Sequence, residues 1–492
     1  MNKTLKLLKL FLSSLLLFAL IFPFENIFAS TLDSNSKDFN NTNNLTTISY
    51  SEEDYISSKK TYKEISNQTF KQNMNLFNSL TYNLNNEYEL KQYIYSELKK
   101  CQTKIDISRF CTSLTPNDAD YIFNTYFDTL YEYPDIFYTT DSVSFTYSTD
   151  SNNFISFCEL QITYPYDKDT LNKVINDFSL KVAEINDLYL QDISNPLELE
   201  YEIYDYIINN TKYDYENLQS NTVPYISHTA YGSLINGIAV CDGYSKAAKV
   251  LFNLVGIDSG IIVSYEMNHA WNYVKFDNQY YHLDITWADP SFDTGKHNYS
   301  YFNLSDEEMS KDHIWPNIYP NCTSDKFSFL RKDIGYKSFR LKDKIYYDNY
   351  ENKIKSISIS GDASEVVLEN TPSNHLIGYN NTLYIALGNE IKSINLSSKK
   401  LASFRNTNSF INNLDILNGI LYIETYDSGN FQFDLKTPED VNCDGIVDIL
   451  DLSTLGLKYN VKSTDSIWRR RFDINKDSII DLFDIIFLTK KL

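Results

Sequence analysis

Apolar positions along this chain change period several times, and each change marks a different kind of element. From about Tyr62 to Ile122 they recur at helical spacing, the stripe that buries one face of a helix. The period then drops to two. Ser142 to Tyr147 and Phe154 to Tyr164 alternate as strands do, and Tyr133-Pro134-Asp135-Ile136-Phe137-Tyr138 reads as the turn into them. Helical spacing returns over Asp169 to Asp187 and over Glu198 to Asn210. The second of these opens with Asn195-Pro196, a capping side chain followed by proline at the first turn. Ser245 to Val255 carries another stripe through Ala247, Ala248, Leu251, Leu254 and Val255, with Gly256 as its stop. Three strand-like runs follow, Gly260 to Glu266, His269 to Phe276 and Tyr280 to Trp287. Asp277-Asn278 between the last two fits a two-residue hairpin turn.

Residues 340–435 repeat a strand motif. Lys344-Ile345-Tyr346-Tyr347, Thr382-Leu383-Tyr384-Ile385 and Ile420-Leu421-Tyr422-Ile423 lie 38 residues apart. Each precedes a second strand-like run, at Ile354 to Ile359, Ile391 to Leu396 and Phe431 to Leu435. About two and a half repeats of this blade-like, propeller-type pattern predict an open β module, too few to close a ring.

The first residues have a different logic. Lys3, Lys6 and Lys9 precede an apolar run from Leu10 to Phe22, and Ile27-Phe28-Ala29 offers a small residue for cleavage. This is the pattern of a signal peptide over residues 1–29, too short for a comfortable membrane span. It predicts an exported protein without a membrane anchor. The polar Asn/Ser/Thr-rich residues 30–60 read as a flexible leader. The remaining divisions are an α+β region over 61–195, a segment carrying the candidate chemistry over 196–325, the β repeats over 326–436, and a C-terminal module over 437–492.

Composition adds exclusions more than assignments. A net charge of −21 over 492 residues disfavours nucleic acid as a partner. The six cysteines, Cys101, Cys111, Cys158, Cys241, Cys322 and Cys443, have neither disulfide-framework nor zinc-site spacing. Cys101 with Cys111 is open as a pair, against two free buried thiols. Cys443 sits at a non-ligand position of an acidic loop.

Cys241 precedes the Ser245–Val255 stripe, at a helix N-terminus. Unpaired N–H groups and the positive end of the helix dipole favour a thiolate there. A two-residue turn at Asp277-Asn278 pairs Phe276 with Gln279. His269 then opposes Thr286, Asp284 opposes Trp271, and His269 and Asp284 become diagonal neighbours on one face. A three-residue turn would put them on opposite faces. Under the favoured turn, Cys241 is a nucleophile, His269 its general base and Asp284 the group that orients the histidine, as amide acyl transfer through a thioester needs. No cofactor is implied in that site. The Cys241 backbone N–H is the natural first oxyanion donor. His282 stands as a competing base, Asp289 and Asp293 as loop-shaping residues, and His313 as structural.

The last 53 residues contain one pattern twice: Asp440, Asn442, Asp444, Asp448 and Asp451, then Asp473, Asn475, Asp477, Asp481 and Asp484. These are positions 1, 3, 5, 9 and 12 of a loop, with Ile446 and Ile479 at position 7 offering a backbone carbonyl. Calcium takes six to eight oxygens from such a tightly turned segment, so two ions are predicted. No convincing helix precedes either loop. Leu452 to Tyr459 and Ile485 to Leu488 follow them with helical spacing. Ser478 stands where the first loop has Gly445, so a side chain is expected there at positive φ.

Two resemblances follow from these residues. The paired loop-then-helix units, offset by 33 residues, resemble the dockerin module. That implies calcium, attachment to a cohesin domain of a scaffolding protein, as in cellulosomes, and a cohesin-facing surface at Ile449, Leu450, Leu482 and Phe483. Ala239-Val-Cys241-Asp-Gly-Tyr-Ser, His269-Ala-Trp-Asn and Tyr280-Tyr-His-Leu-Asp284-Ile-Thr-Trp-Ala-Asp-Pro290 resemble the transglutaminase-like superfamily. Tyr301-Phe-Asn-Leu-Ser-Asp-Glu-Glu-Met-Ser-Lys-Asp-His313 extends the match. The resemblance implies a papain-like α+β core with Cys241, His269 and Asp284 as triad. Crosslinking members carry Gln before and Trp after the cysteine, where this chain has Val240 and Asp242. Peptide or amide hydrolysis therefore stands beside crosslinking. The expected whole is a secreted, multidomain, scaffold-attached cysteine enzyme acting on peptide or protein. A docked polysaccharide-degrading hydrolase, which needs two facing carboxylates, and a non-catalytic binding component are the competing readings.

Overall fold

The computed structural model describes residues 45–57, 77–289, 299–332, 334, 338–348, 352–417, 419–427, 429–442, 447–465 and 468–492. The expected signal peptide, together with Asp293, Pro290, Cys443, Asp444, Gly445 and Ile446, lies outside them.

The polar segment before residue 60 is not all leader. Thr46–Ser51 is a strand, antiparallel to Ser142–Thr149. The hydroxyl groups that make this segment look like linker form a ladder instead: Thr47 Oγ1 lies 2.9 Å from Thr146 Oγ1, and Ser49 Oγ 2.7 Å from Ser144 Oγ. Cross-strand hydroxyl pairs of this kind are a unit of sheet stability. The four-stranded sheet continues through Ile155–Gln161 to Lys104–Asp106. That last strand corrects the continuous helical reading of Tyr62 to Ile122. The described helices there are Phe77–Lys99 and Ala119–Glu132, with a strand and the short helix Ser108–Cys111 between them. Tertiary pairing with Ile155–Gln161 overrides the local period.

The helix Pro196–Asn210 starts as read, with Asn195 Oδ1 accepting from the Leu197 N–H. The next long helix is Cys241–Val255, closed by Gly256 at φ 74°. It packs on a three-stranded antiparallel sheet, Ser259–Ser264, His269–Phe276 and Gln279–Leu283. The hairpin has the expected two-residue turn. Asp277 and Asn278 both sit at positive φ (49° and 59°), and Phe276 pairs with Gln279. The return strand is shorter than expected. It ends at Leu283, and Ile285–Ala288 is a helical turn capped by Asp284, whose side chain accepts from the Trp287 N–H. Asp284 therefore does not oppose Trp271, nor His269 Thr286. A capping aspartate ends the strand because its side chain offers the backbone an alternative to the ladder.

The repeat region holds three antiparallel meanders in chain order, of four, four and three strands, spanning Ser338–Leu368, His375–Asn406 and Ile411–Asp434. No sheet closes on itself among the described residues. The first meander is continuous with the preceding core: Ile345, Tyr347, Ile357 and Ile359 share one buried cluster with Tyr201, Tyr204, Phe302 and Phe327.

At the C-terminus the two helices are Ile449–Gly456 and Leu482–Thr489. They begin inside the acidic loops, three residues before the helical spacing suggested. Asp448 and Asp481 are their N-caps, and Asp451 and Asp484 complete capping boxes.

Candidate functional site

Cys241 is the first residue of its helix and is partly exposed. The helix is fixed from below by two buried lysines. Lys246 Nζ reaches Glu52 Oε1 and the His228 carbonyl, both at 3.0 Å, and Lys249 Nζ reaches Glu132 Oε1 at 3.1 Å and the Ser259 carbonyl at 2.7 Å. Gly243 lets the first turn sit against the preceding loop. A methyl there would collide with the Ser227 carbonyl and come within 2.8 Å of Ala239 Cβ. Asp242, beside the nucleophile position, lies 3.0 Å from His228 Nδ1 and 3.6 Å from Lys246 Nζ. Burial pushes the Asp242 carboxyl up, but Lys246 and His228 outweigh it and leave it below the usual range.

The facing strand delivers His269. Asn272, three residues on, donates to the Ser245 carbonyl at 3.0 Å and ties the strand to the helix. His269 Nε2 lies 2.7 Å from Asp284 Oδ2, and the ring shares a hydrogen bond with the Cys241 thiol. Burial disfavours the imidazolium. The charge and hydrogen bond of Asp284, then Cys241, overcome this and raise His269 to about 10. Asp284 has no exposed surface, and burial alone would keep it neutral. His269 and then His313 hold it well below the usual carboxylate range. The strand-to-helix turn thus does what the diagonal pairing was expected to do, by a different backbone route.

His313, read as structural, meets the candidate site directly. Its Nε2 lies 3.0 Å from the same Asp284 Oδ2, and its Nδ1 2.6 Å from Asp312 Oδ1. The Asp312-His313 pair at the end of the extended motif was the available signal. His282 is not a competing base. Its Nδ1 accepts from Trp271 Nε1 at 3.0 Å and its Nε2 lies 2.9 Å from Asp306 Oδ1, while burial lowers its proton affinity. Asp289 accepts from the Tyr244 hydroxyl at 2.6 Å. Among the thiols, the described cysteines are free, and Cys111 hydrogen-bonds with Cys158 and not with Cys101. The sequence separation of Cys111 and Cys158 hid that contact.

Two sets of side chains bring ligand atoms within 4.8 Å of one another, His269/Asp284/His313 and His282/Asp306/Cys322. In both, the histidine nitrogens already face carboxylate oxygens at hydrogen-bond distance. The C-terminal loops differ in kind. Asp440, Asp451, Asp473 and Asp484 are buried carboxylates. In the second loop, Asp473 accepts from the Asp477 and Ser478 N–H groups and Asp484 from Asn475 and Asp481. Inward carboxylates on a backbone folded tightly around them fit a hard, oxygen-seeking cation. Ser478 is held at φ 74°. Ile449, Leu450, Leu482 and Phe483 are all more than half exposed, at 65, 55, 55 and 61 %.

Comparison with known proteins agrees with this layout. A transglutaminase-like superfamily domain matches residues 185–285, which include Cys241, His269 and Asp284, and a dockerin type I domain matches residues 438–492. No curated protein matches the chain. Among solved structures, the chain is similar to one described as the crystal structure of a TGase, at 16 % identity over 31 % of this chain and 46 % of that one (TM-score 0.21). It is also similar to a chain of a nidogen/laminin complex, at 15 % identity over 21 % and 46 % (TM-score 0.19). BamB from Moraxella catarrhalis is similar at 14 % identity over 33 % and 40 % (TM-score 0.19). The chain spans less than half the length of each. Dockerin domains bind calcium and cohesin partners and mark extracellular proteins. No helix among the described residues is long and apolar enough to cross a membrane. The chain therefore carries a transglutaminase-like core domain at residues 185–285, of a superfamily associated with cysteine-type enzymatic activity, and a C-terminal dockerin type I domain at residues 438–492.

Proposed function

We propose that this protein is a secreted cysteine acyl-transfer enzyme acting on peptide or protein amides, carried to a cohesin-bearing scaffold, such as a cellulosome, by its dockerin. The observation that carries the reading is His269, placed between the Cys241 thiol and the buried Asp284 carboxylate. Asp284 occupies Nε2, which leaves Nδ1 as the ring nitrogen for the thiol. His269 takes the thiol proton, and the thiolate sulfur attacks the amide carbonyl carbon. The oxyanion meets the Cys241 N–H at the helix N-terminus, where backbone donors and the helix dipole favour negative charge. As the C–N bond breaks, His269 returns the proton to the leaving amine. The thioester is then cleaved by water, giving hydrolysis, or by a lysine amine, giving a crosslink. Asp284 keeps the histidine in one orientation and favours its imidazolium.

In the dockerin, Asp440, Asn442, Asp444, Ile446, Asp448 and Asp451 would hold one calcium ion, and Asp473, Asn475, Asp477, Ile479, Asp481 and Asp484 a second. When bound, calcium supplies positive charge that lets the inward carboxylates approach. Ile449, Leu450, Leu482 and Phe483 would face cohesin.

The test follows the rate of Cys241 alkylation by iodoacetamide against pH, in wild type and His269→Ala, by mass spectrometry. Fast alkylation at about pH 6–7 in wild type, lost in the variant, is expected, because an ordinary thiol titrates near 8.5. Release of ammonia from glutamine substrates and of amines from peptide substrates should vanish in Cys241→Ala. Identical slow profiles in wild type and His269→Ala would sink the reading.

A further inference from the structure

Asp284 is gripped from two sides. His269 reaches Oδ2 at 2.7 Å, His313 reaches the same oxygen at 3.0 Å, and the Trp287 N–H takes Oδ1 at 3.0 Å. The chain of contacts continues. His313 Nδ1 lies 2.6 Å from Asp312 Oδ1, and the Tyr301 hydroxyl donates to Asp312 Oδ2 at 2.7 Å. The side chains of Asp284 and His313 have no exposed surface, whereas Asp312 is 44 % exposed. A continuous line of hydrogen bonds thus runs from the Cys241 thiol through His269, Asp284, His313 and Asp312 to Tyr301.

The two carboxylates dictate the protonation of His313. Each ring nitrogen faces a carboxylate oxygen, and a bare nitrogen there would set lone pair against lone pair. Both nitrogens therefore carry protons, and the ring is an imidazolium with two charge-assisted bonds. The Asp284 and Asp312 bonds raise its proton affinity against the effect of burial.

We propose that His313 is a positioning residue of the acyl-transfer site: it holds Oδ2 of Asp284 and so fixes the carboxylate that orients His269. The inference rests on the reading of Cys241, His269 and Asp284 given above. Its physical basis is torsional. The terminal torsion of an aspartate is broad. The Trp287 N–H restrains Oδ1, but with His269 alone on Oδ2 that oxygen has one side-chain donor and can tilt with the ring. A second, rigidly packed donor on the same oxygen removes that freedom. The packing is aromatic: the His313 ring lies 4.2 Å from Trp287, 5.1 Å from Trp271 and 5.6 Å from Tyr301, centroid to centroid.

The same imidazolium bears on His269, whose ring centroid is 5.6 Å away. Like charge opposes the proton that Asp284 favours. The titratable groups around the pair are Cys241, Asp284, Asp312, His282, Tyr301, Tyr204 and Tyr213. His282 Nδ1 accepts from Trp271 Nε1 and carries no proton there, which leaves His313 as the second cation facing Asp284. Removing its charge should let His269 keep its proton to higher pH.

The experiment is the pH profile of Cys241 alkylation by iodoacetamide in the full chain, for wild type, His313→Gln, His313→Leu and Asp312→Asn. Its lower limb marks formation of the thiolate–imidazolium pair; its upper limb is a second step in rate, not a fall, and marks the loss of the His269 proton, which leaves the thiolate in place. Gln keeps an N–H donor near the Nε2 position without the charge, whereas Leu keeps neither. A hydrogen bond to a charged group is worth enough that His313→Leu should slow alkylation at neutral pH by about tenfold, and His313→Gln should restore the rate close to wild type. The upper limb should move to higher pH in both. Asp312→Asn, at a half-exposed position, leaves the Nε2 donor in place and removes the charge that faces the second proton. It should shift the upper limb the same way with the rate retained, and it serves if His313→Leu does not fold. Profiles of all folded variants lying on that of wild type overturn the role of His313 alone, provided wild-type alkylation depends on His269. Absence of that dependence overturns the acyl-transfer reading itself.

Discussion

At the scale of single residues, the decisive quantity is the charge balance around Asp284. Burial opposes ionisation of both Asp284 and His269, and each is charged because the other is. The linkage has two limbs. His269 is raised to about 10 in the folded chain. Its stabilising contribution is complete below its unfolded value, near 6.5, and is lost as pH rises through about 10. Asp284 is held below its unfolded value, near 3.9. Its contribution is complete above that value and is lost as pH falls through the depressed one. Asp284→Asn should therefore flatten the alkaline limb of stability, measured by denaturant unfolding from neutral pH to beyond the His269 transition. It should also slow Cys241 alkylation at neutral pH by roughly 10²-fold or more, since an amide cannot favour the imidazolium. An unchanged alkaline limb would mean that His269 gains its proton affinity elsewhere. Cys241, His269 and Asp284 were legible because each sits in a short local motif. His313 was only marked, by the Asp312-His313 pair: its contact with Asp284 lies 29 residues away, and no local period encodes that.

At the scale of elements, the hairpin was readable to the residue because turn chemistry is local. Asp277 and Asn278 both tolerate positive φ, which fixes the register of the two strands. Endings were less readable. Asp284 ends its strand and Asp448 and Asp481 start their helices early, because a capping side chain competes with the backbone pattern that an apolar period reports. The strand at Thr46–Ser51 was hidden by composition, since serine and threonine serve linker and strand alike. Ser478 is a case where the local rule reads correctly. Its N–H donates to Asp473 Oδ2 at 2.8 Å while its φ is 74°. A left-handed conformation costs a side-chain-bearing residue about 1 kcal/mol or more. Ser478→Gly should stabilise the calcium-loaded second loop by about 1 kcal/mol and tighten its calcium binding by roughly fivefold, read by calorimetric titration of the full chain. Weaker binding would show that serine contributes something glycine lacks.

At the scale of the whole molecule, the first β meander packs directly on the transglutaminase-like core. Apart from the shared apolar cluster, Arg340 crosses between them. Its Nε lies 2.6 Å from Asp205 Oδ2, its NH2 bonds Glu202, and Tyr299 reaches the other Asp205 oxygen at 3.1 Å. The Tyr201 hydroxyl also donates to the Ile359 carbonyl at 3.3 Å. Both carboxylates belong to the Pro196–Asn210 helix, which packs on the Cys241 helix. A repeat module tethered by a flexible linker would need none of this. Breaking a buried pair by removing one partner leaves an uncompensated charge and costs about 3–5 kcal/mol. Arg340→Met should therefore destabilise the transition that unfolds the core by that amount, although residue 340 lies in the β region and far along the chain from Cys241. Denaturant unfolding followed by Cys241 protection from alkylation measures it directly, because the thiol reports on the core and not on the meander. A loss below about 0.5 kcal/mol, the scale of an ordinary surface change, would mean that the meander is an independent appendage. The larger loss would mean that the minimal folding unit of the transglutaminase-like core extends through the first meander, to about residue 368, well past the end of the matched domain.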